Sequence, residues 1–267
     1  TILGQIAAEV LGVGLGSIVV YSSDTDFTPF DTGAYASSTT YVTGKAVERA
    51  ALEVAEQIRR VGAAMLKADA AGLTLGGGRV TAPDGRSVTL AEVCTRAYYG
   101  ADQFQIGATA SCVPDESPPP FLASFAEVAV DVETGHVRVL DYVAAVDCGT
   151  PLNPRLAEGQ VEGAVANGIG YALTEEYLFT AGGKVRNADL SRYKVPGSLD
   201  LPPIRVILVD SYEPTGPMGA KSIAEIGING PAPSIANAIY HAVGVRLTRT
   251  PFTPERVWRA LRDAGVD

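Results

Sequence analysis

A single carboxylate, Glu225, lies in a loop whose backbone is shaped by glycine and proline. Residues 214–233 contain four glycines and four prolines, a composition typical of loops with unusual backbone angles. Ile223 and Ala224 precede Glu225, and Ile226 follows it. Because apolar surroundings destabilise a charged carboxylate, we expect Glu225 to have a raised pKa suited to a general base. Backbone N–H groups of the glycines offer an anion site. An ordinary loop with one exposed glutamate is the simpler interpretation.

A second candidate site precedes the long helix that the sequence predicts over residues 45–66. Hydroxyl side chains are dense in the segment 33–44, at Ser37, Ser38, Thr39, Thr40 and Thr43. Hydroxyls and backbone N–H groups at a helix start suit a phosphate-like or polar heterocyclic ligand. The alternative is a helix N-cap region, although a cap needs only one such hydroxyl.

A third candidate site lies where the loop 147–154 leads into a helix predicted over residues 156–173. Four glycines occur in that helix, and each interior glycine costs about 1 kcal/mol relative to alanine. The glycines therefore indicate close approach of a ligand or of another helix. Gln160, in the first turn, would point at a ligand, whereas helix packing alone could also explain the glycines.

Composition limits the classes of function. The chain has 267 residues, 46% of them hydrophobic, and a formal charge of −9, with a pI near 4.8. This acidity argues against nucleic acid or an anionic membrane as the main partner. Three dispersed cysteines and two histidines disfavour a zinc or iron–sulfur site held by this chain. The odd cysteine count fits a reducing compartment, and no apolar run is long enough to span a bilayer.

Periodicity predicts the elements that must position these residues. In the first part of the chain we expect helices over 2–11, 45–66 and 90–99, a hairpin within 67–90, and strands over 17–22 and 104–111. Thr89 is the expected N-cap of the third helix. A proline-rich bend over 112–121 is the expected internal boundary, which gives subdomains 1–115 and 116–267.

The second part alternates strands and helices. We expect strands over 125–131, 137–142, 143–146, 204–209 and 245–248, a hairpin joining 175–180 to 184–185, and helices over 156–173, 234–243 and 254–264. Thr253 and Pro254 are the expected cap and first residue of the last helix. The first helix begins almost at Thr1, so the start looks cut from something longer.

The order of these segments resembles the large, molybdopterin-binding subunit of the molybdenum hydroxylase (xanthine dehydrogenase) family. Five collinear motifs carry the resemblance: Thr-Gly-Ala-Tyr-Ala-Ser-Ser-Thr-Thr over 32–40, Pro-Pro-Pro-Phe over 118–121, Asp-Cys-Gly over 147–149, Gly-Gln-Val-Glu-Gly over 159–163, and Gly-Ala-Lys-Ser-Ile-Ala-Glu-Ile-Gly over 219–227. The last motif looks most like bacterial purine or nicotinate dehydrogenases with a split large subunit. Its Ala224-Glu225 pair departs from the Gly-Glu pair common in the family.

The resemblance implies an α+β fold, namely the second molybdopterin-binding domain of a molybdenum hydroxylase, with mixed β-sheets and packed helices in two subdomains. It covers almost the whole chain. The family's first molybdopterin-binding domain, its Gln-Gly pterin loop and most of its substrate pocket have no counterpart here. The chain therefore resembles a fragment or one product of a split large subunit.

The resemblance also implies roles for particular residues. Glu225 matches the catalytic glutamate, which takes a proton while water-derived oxygen attacks an electron-poor carbon and hydride passes to the Mo=S or Mo=Se group. The substrate would be a small N-heterocycle of purine or nicotinate type, or an aldehyde. Residues that match cofactor-binding positions are Ala36, Ser37, Thr39, Thr40, Gln160, Lys221, Ser222, Ile223 and Ala224.

The implied cofactor is molybdopterin with molybdenum, as the cytosine dinucleotide. The metal is held by the pterin dithiolene, so no residue ligates it directly. Expected partners are the remaining part of the molybdopterin subunit and subunits carrying [2Fe-2S] and FAD, in a cytoplasmic complex that binds neither nucleic acid nor membrane. Two alternatives stay open: a structural subunit without cofactor, and an unrelated hydrolase using Thr1 as nucleophile.

Overall fold

The chain folds into two compact units, each built from two separate stretches of sequence. Residues 1–118 and 212–222 form the first unit, and residues 119–211 and 223 onwards form the second. The computed structural model describes residues 1–31 and 33–266. The assignment of 1–115 and 116–267 as subdomains of a cofactor-binding domain stays a prediction. The loop 214–233 is divided, with its first nine residues in the first unit and the Glu225 part in the second.

The first unit consists of helices packed against a small antiparallel sheet. Its helices are α1 (Ile2–Leu11), α2 (Val42–Leu66) and α3 (Leu90–Tyr99), and its strands are β1 (Thr74–Gly76), β2 (Arg79–Thr81) and β3 (Ser87–Thr89). The strand order is β1-β2-β3. Buried Ile58, Leu66, Val80 and Val93 belong to one core cluster. Helix α2 approaches β2 closely, because a Cβ on Gly62 would lie 2.9 Å from Val80 Cγ1.

The second unit contains a mixed sheet covered by helices. Its strands are β4 (Phe121–Val130), β5 (Val137–Asp147) and β6 (Ile204–Leu208), and its helices are α4 (Pro154–Leu173), α5 (Pro231–Val243) and α6 (Pro254–Asp263). Strand β5 pairs antiparallel with β4 and parallel with β6. The parallel pair needs a crossover, and α4 lies in it. The two mixed helix-and-sheet units confirm the α+β prediction.

Side-chain caps fix where several helices begin. Thr89 accepts from the N–H of Glu92, whose carboxylate accepts from the N–H of Thr89, so α3 starts with a capping box. The Thr253 side chain accepts from the N–H of Arg256, and Pro254 is the first residue of α6. Both caps confirm the sequence prediction.

Some predicted strands do not form. The segment 17–22 begins at the last residue of a 3₁₀ helix, Leu15–Ser17, and its residues Val19 and Tyr21 are 80% and 79% exposed. The predicted strands 104–111 and 245–248 also lack a ladder. A strand needs a neighbour for its backbone groups, and none of these segments pairs with a strand among the described residues. The prediction that 17–22 is a buried strand is therefore wrong.

Other differences concern boundaries. The two strands expected over 137–142 and 143–146 are the single strand β5. The hairpin expected around residues 175–185 is reduced to one isolated bridge between Phe179 and Val185. Within residues 1–31 and 33–266, no helix has both the length and the apolarity required to traverse a membrane.

We predict that Thr89→Ala destabilises the chain by about 1 kcal/mol, because the N-terminal N–H groups of α3 lose their acceptor. Thr95→Ala is the matched control. The Thr95 hydroxyl only donates to the Ala91 carbonyl within α3, and alanine is the better helix former. Urea unfolding monitored by circular dichroism measures both variants, and equal losses of stability would contradict the capping assignment.

Candidate functional site

The Glu225 loop, residues 223–230, places its carboxylate on the surface of the second unit. Ile223 and Ile226, on either side of Glu225, pack against the core cluster of that unit, and the Glu225 side chain is exposed. The backbone carbonyl of Glu225 accepts from the N–H of Ile228 at 3.2 Å, which starts the 3₁₀ helix Ile226–Asn229. The apolar surroundings expected for this carboxylate are therefore not provided by this chain, because the apolar neighbours point inward.

Two glycines hold this loop tightly against the unit. A Cβ on Gly227 would lie 2.9 Å from the Ala164 Cβ and 3.3 Å from the Val161 carbonyl oxygen, both on α4. A Cβ on Gly230 would lie 2.6 Å from the Ser124 Oγ and 2.9 Å from the Tyr142 hydroxyl. Any larger side chain would displace the loop, so both contacts fix the position from which Glu225 projects.

A cluster of hydroxyl groups around the buried Tyr142 side chain lies beneath the end of this loop. Tyr142 is fully buried in β5, and the Ser234 hydroxyl donates to its oxygen at 3.4 Å. Burial raises the pKa of Tyr142, and the hydrogen bonds with Ser124 and Ser234 oppose that rise. Sequence reasoning missed this cluster. The available signal was a polar residue at an inward-facing position in each of two neighbouring strands, Ser124 in β4 and Tyr142 in β5. Tyr142 lies two residues along β5 from the partner of Ser124.

Gln160 reaches the Glu225 loop from α4. Its Nε2 donates to the Ala224 carbonyl oxygen at 2.7 Å. This contact joins two predicted site residues that are 64 positions apart in sequence, and it places the side chain of Gln160 next to the peptide group that precedes Glu225. The structure thus brings Gln160, Ala224 and Glu225 together.

The start of α4 is fixed by the loop that precedes it. The Asp147 carboxylate accepts from the N–H of Gly149 at 3.0 Å and from the Ser211 hydroxyl. The Asn153 side chain then accepts from the N–H of Leu156, and Pro154 is the first helical residue. These contacts set the position of the first turns of α4, on which Gln160 lies.

The remaining predicted residues belong to the first unit. Ala36 and Ser37 adopt left-handed backbone conformations, with φ of 48° and 56°. Ala36 is exposed, whereas Ser37, Thr39 and Thr40 are half-buried. The segment forms successive turns that run into α2, since the Thr39 carbonyl accepts from the N–H of Gly44. Ser37, Thr39 and Thr40 therefore lie in the turns directly before the N-terminal end of a 25-residue helix.

The start of α2 also holds the first part of the glycine-rich loop. Tyr41 and Thr215 share a hydrogen bond between hydroxyls of 2.7 Å. The Glu48 carboxylate accepts from the N–H of Met218 at 3.1 Å and pairs with Lys45 at 2.7 Å. The loop then continues to the half-buried residues Lys221 and Ser222. The two predicted cofactor segments of this unit are thus connected through α2.

The glycines of α4 have two different surroundings. A Cβ on Gly168 would lie 2.6 Å from Pro231 Cγ, and one on Gly170 would lie 3.0 Å from Pro196 Cδ. In contrast, a Cβ on Gly159 or Gly163 would meet no atom of the described residues within 4 Å. Packing therefore explains the later pair, and the earlier pair lies on an open surface beside Gln160.

Metal ligation by side chains has no candidate in the part of the chain that the structure describes. No group of three or more His, Cys, Asp or Glu side chains in residues 1–31 and 33–266 could hold a metal ion.

Comparisons with known proteins agree with the arrangement of these segments. Residues 1–202 match the family described as "Molybdopterin cofactor-binding domain". The chain is 40% identical over 262 residues to "Probable hypoxanthine oxidase XdhD" of Escherichia coli (strain K12), covering 98% of this chain and 27% of that protein. It is 37% identical over 272 residues to the "Xanthine dehydrogenase molybdenum-binding subunit" of Escherichia coli O157:H7, covering 100% of this chain and 36% of that protein.

A solved structure shows the same fold. Quinoline 2-oxidoreductase from Pseudomonas putida 86 is similar with a TM-score of 0.92 and 30% sequence identity, over 98% of this chain and 35% of that one. The chain thus spans only about a third of the length of the relatives that it matches.

We predict opposite effects of alanine at two glycines of α4. Gly159→Ala should stabilise the chain by about 0.5–1 kcal/mol, because the new methyl group meets open space and alanine favours the helix. Gly168→Ala should destabilise it by about 1–3 kcal/mol through overlap with Pro231. Urea unfolding of the two variants checks this, and shifts of the same sign would contradict the assignment of packing roles.

Proposed function

This chain belongs to the molybdopterin cofactor-binding domain family, and from that premise we propose that it forms part of a molybdenum-dependent hydroxylase. The proposed reaction inserts water-derived oxygen at an electron-poor carbon of a small molecule. The observation that carries the proposal is the hydrogen bond from Gln160 to the Ala224 carbonyl. This bond joins two of the family-like motifs, 159–163 and 219–227, and supports the loop that carries the exposed Glu225.

The proposed role of Glu225 is that of general base. Its carboxylate is exposed, so substrate and water can reach it. Its backbone is restrained by Gln160 and by the close contacts of Gly227 and Gly230. A positioned carboxylate can accept the proton of the water-derived hydroxyl group as that oxygen attacks carbon. Restraint of the loop fixes the backbone position from which the Glu225 side chain reaches the reacting group.

The donor set of the first unit fits a phosphorylated pterin. Ser37, Thr39 and Thr40 carry hydroxyls in the turns before α2, and the N-terminal end of a long helix favours negative charge. Lys221 would add a cation and Ser222 a hydroxyl. We propose that these residues, with Ala36 and the backbone of residues 221–224, hold molybdopterin as its cytosine dinucleotide. When bound, the cofactor supplies the two-electron redox chemistry, and its dithiolene holds the metal.

The proposed substrate class is an N-heterocycle of purine or nicotinate type, or an aldehyde. In its favour, the relatives named above are described as a "Probable hypoxanthine oxidase", a xanthine dehydrogenase subunit and a quinoline oxidoreductase. A ring carbon next to nitrogen is electron-poor, which makes it open to attack by oxygen. We place the residues that select between these substrates in the remaining part of the subunit, since the resemblance leaves most of the family's substrate pocket without a counterpart in this chain.

The proposed assembly is a cytoplasmic complex. This chain would combine with the remaining part of the molybdopterin subunit and with subunits that carry [2Fe-2S] and FAD, which remove the electrons. An iron–sulfur cluster needs several cysteine ligands. Cys94 is exposed, Cys112 half-buried and Cys148 buried, and three cysteines in such different surroundings support placing the cluster on a partner.

Metal and pterin analysis of the purified complex tests the proposal. We expect stoichiometric molybdenum and pterin. An intact complex that contains neither would instead identify this chain as a structural subunit. Thr1→Ala in the assembled enzyme should leave turnover unchanged, because the proposed reaction makes no use of an N-terminal nucleophile.

We predict that Glu225→Gln lowers turnover by at least about 100-fold, since the amide cannot accept the proton. Molybdenum content should stay nearly unchanged, because the side chain is exposed. Glu255→Gln is the control, as Glu255 is an exposed residue of α6 that pairs with Arg259, and it should retain full turnover. Loss of molybdenum in the Glu225 variant would show a structural rather than a catalytic role.

A further inference from the structure

An extended segment of the first unit, residues 103–113, has the burial pattern of a β-strand. Residues 104, 106, 108, 110 and 112 are half-buried, whereas the odd-numbered residues between them are exposed. Phe104 and Ile106 pack against the core cluster of the first unit. Alternation of this kind means that one face of a strand lies on a core. We refer to these residues as the edge segment.

One edge of this segment is attached to α2. Gln57 binds both backbone groups of Gly107: its Nε2 donates to the Gly107 carbonyl at 2.9 Å, and its Oε1 accepts from the Gly107 N–H at 3.1 Å. Arg49 donates to the Ser111 carbonyl at 3.1 Å. Arg49 and Gln57 are eight residues apart, which is about 12 Å along a helix, and Gly107 and Ser111 are four residues apart, which is about 13 Å along a strand. The two lengths agree, so the segment runs extended and antiparallel to α2 between these contacts.

The opposite edge has backbone groups without a partner. In a strand, the N–H and C=O of one residue point to one edge, and those of its neighbours point to the other. Gly107 and Ser111 face α2, so Ile106, Ala108 and Ala110 face away from it. Within residues 1–31 and 33–266, no hydrogen bond is made by the backbone of these three residues.

This free edge lacks the features that protect exposed strands. Natural edge strands carry lysine, proline or inward-pointing charge to prevent association. Residues 103–113 contain no charged residue and no proline, and Asp102 and Pro114 stand just outside the segment. Val113 is 84% exposed. An uncharged, unpaired edge of this length is a template for another strand, which indicates that it is covered in the assembled protein.

We propose that the edge segment adds to a β-strand from the remaining part of the molybdopterin subunit. The inference rests on the proposed function in that it takes this chain to be one part of a larger subunit. The aligned part covers only 27% and 36% of the length of two matched relatives, so most of each relative lies outside it and can contain the partner strand. The backbone of Ile106, Ala108 and Ala110 pairs with that strand, and α2 holds the other edge in register.

Residue-resolved amide exchange of the assembled enzyme tests this pairing. We expect the amides of Ile106, Ala108 and Ala110 to exchange at least about 100-fold more slowly than exposed amides, as we also expect of the amides that pair β4 with β5. Exchange at the rate of exposed amides in a complete complex overturns the proposal. Protection in the chain purified alone, together with a dimeric mass, also overturns it, because a second copy would then be the partner.

Molybdenum content of the same sample separates the two proposals. Exposed amides in a molybdenum-containing complex overturn the strand pairing and leave the proposed function standing. Protected amides in a complex without molybdenum support the pairing and overturn the proposed function.

A matched pair of proline variants locates the edge. Ala108→Pro removes an N–H from the free edge, and Thr109→Pro makes the same change on the edge that faces α2. We expect Ala108→Pro to reduce recovery of the rest of the subunit in co-purification by at least about 10-fold, and Thr109→Pro to retain it. Equal losses, or no loss from Ala108→Pro, overturn the assignment. If neither variant folds, amide exchange of the unmodified enzyme decides.

Discussion

The close approach of the Glu225 loop to α4 and to the mixed sheet is the constraint on which the candidate site depends. Gly227 leaves no room for a side chain beside Ala164, and Gly230 leaves none beside the Tyr142 hydroxyl. Protein interiors are packed so densely that one added methyl group at such positions must move something. The loop therefore has one position, and Gln160 adds a hydrogen bond at the peptide group next to Glu225.

This chain holds the backbone of Glu225 in place but leaves its side chain exposed. Ile223 and Ile226 enter the core, which holds the backbone and turns Glu225 outward. A carboxylate exposed on one polypeptide can still acquire apolar neighbours when further parts of the subunit cover it. In the proposed enzyme, this chain contributes the general base and the restrained loop that carries it. Other parts of the subunit contribute the walls that exclude water from the site.

The first unit is organised in a comparable way around the start of α2. Tyr41, Lys45 and Glu48 hold the loop that leads to Lys221, while Gln57 and Arg49 further along the helix hold the edge segment. One long helix thus positions both the proposed cofactor segment and the proposed contact strand.

The amino-acid sequence by itself determined the features that depend on neighbouring residues. The capping box at Thr89, the cap at Thr253 and the periodicity of α2 and α4 are local signals, and each predicted its helix. The collinear motifs identified the family and the candidate residues Glu225 and Gln160. Only the tertiary structure decided that Glu225 is exposed and that Gly168 is packed while Gly159 is open. It also decided that residues 17–22 form no strand, because burial, close packing and strand pairing depend on residues distant in sequence.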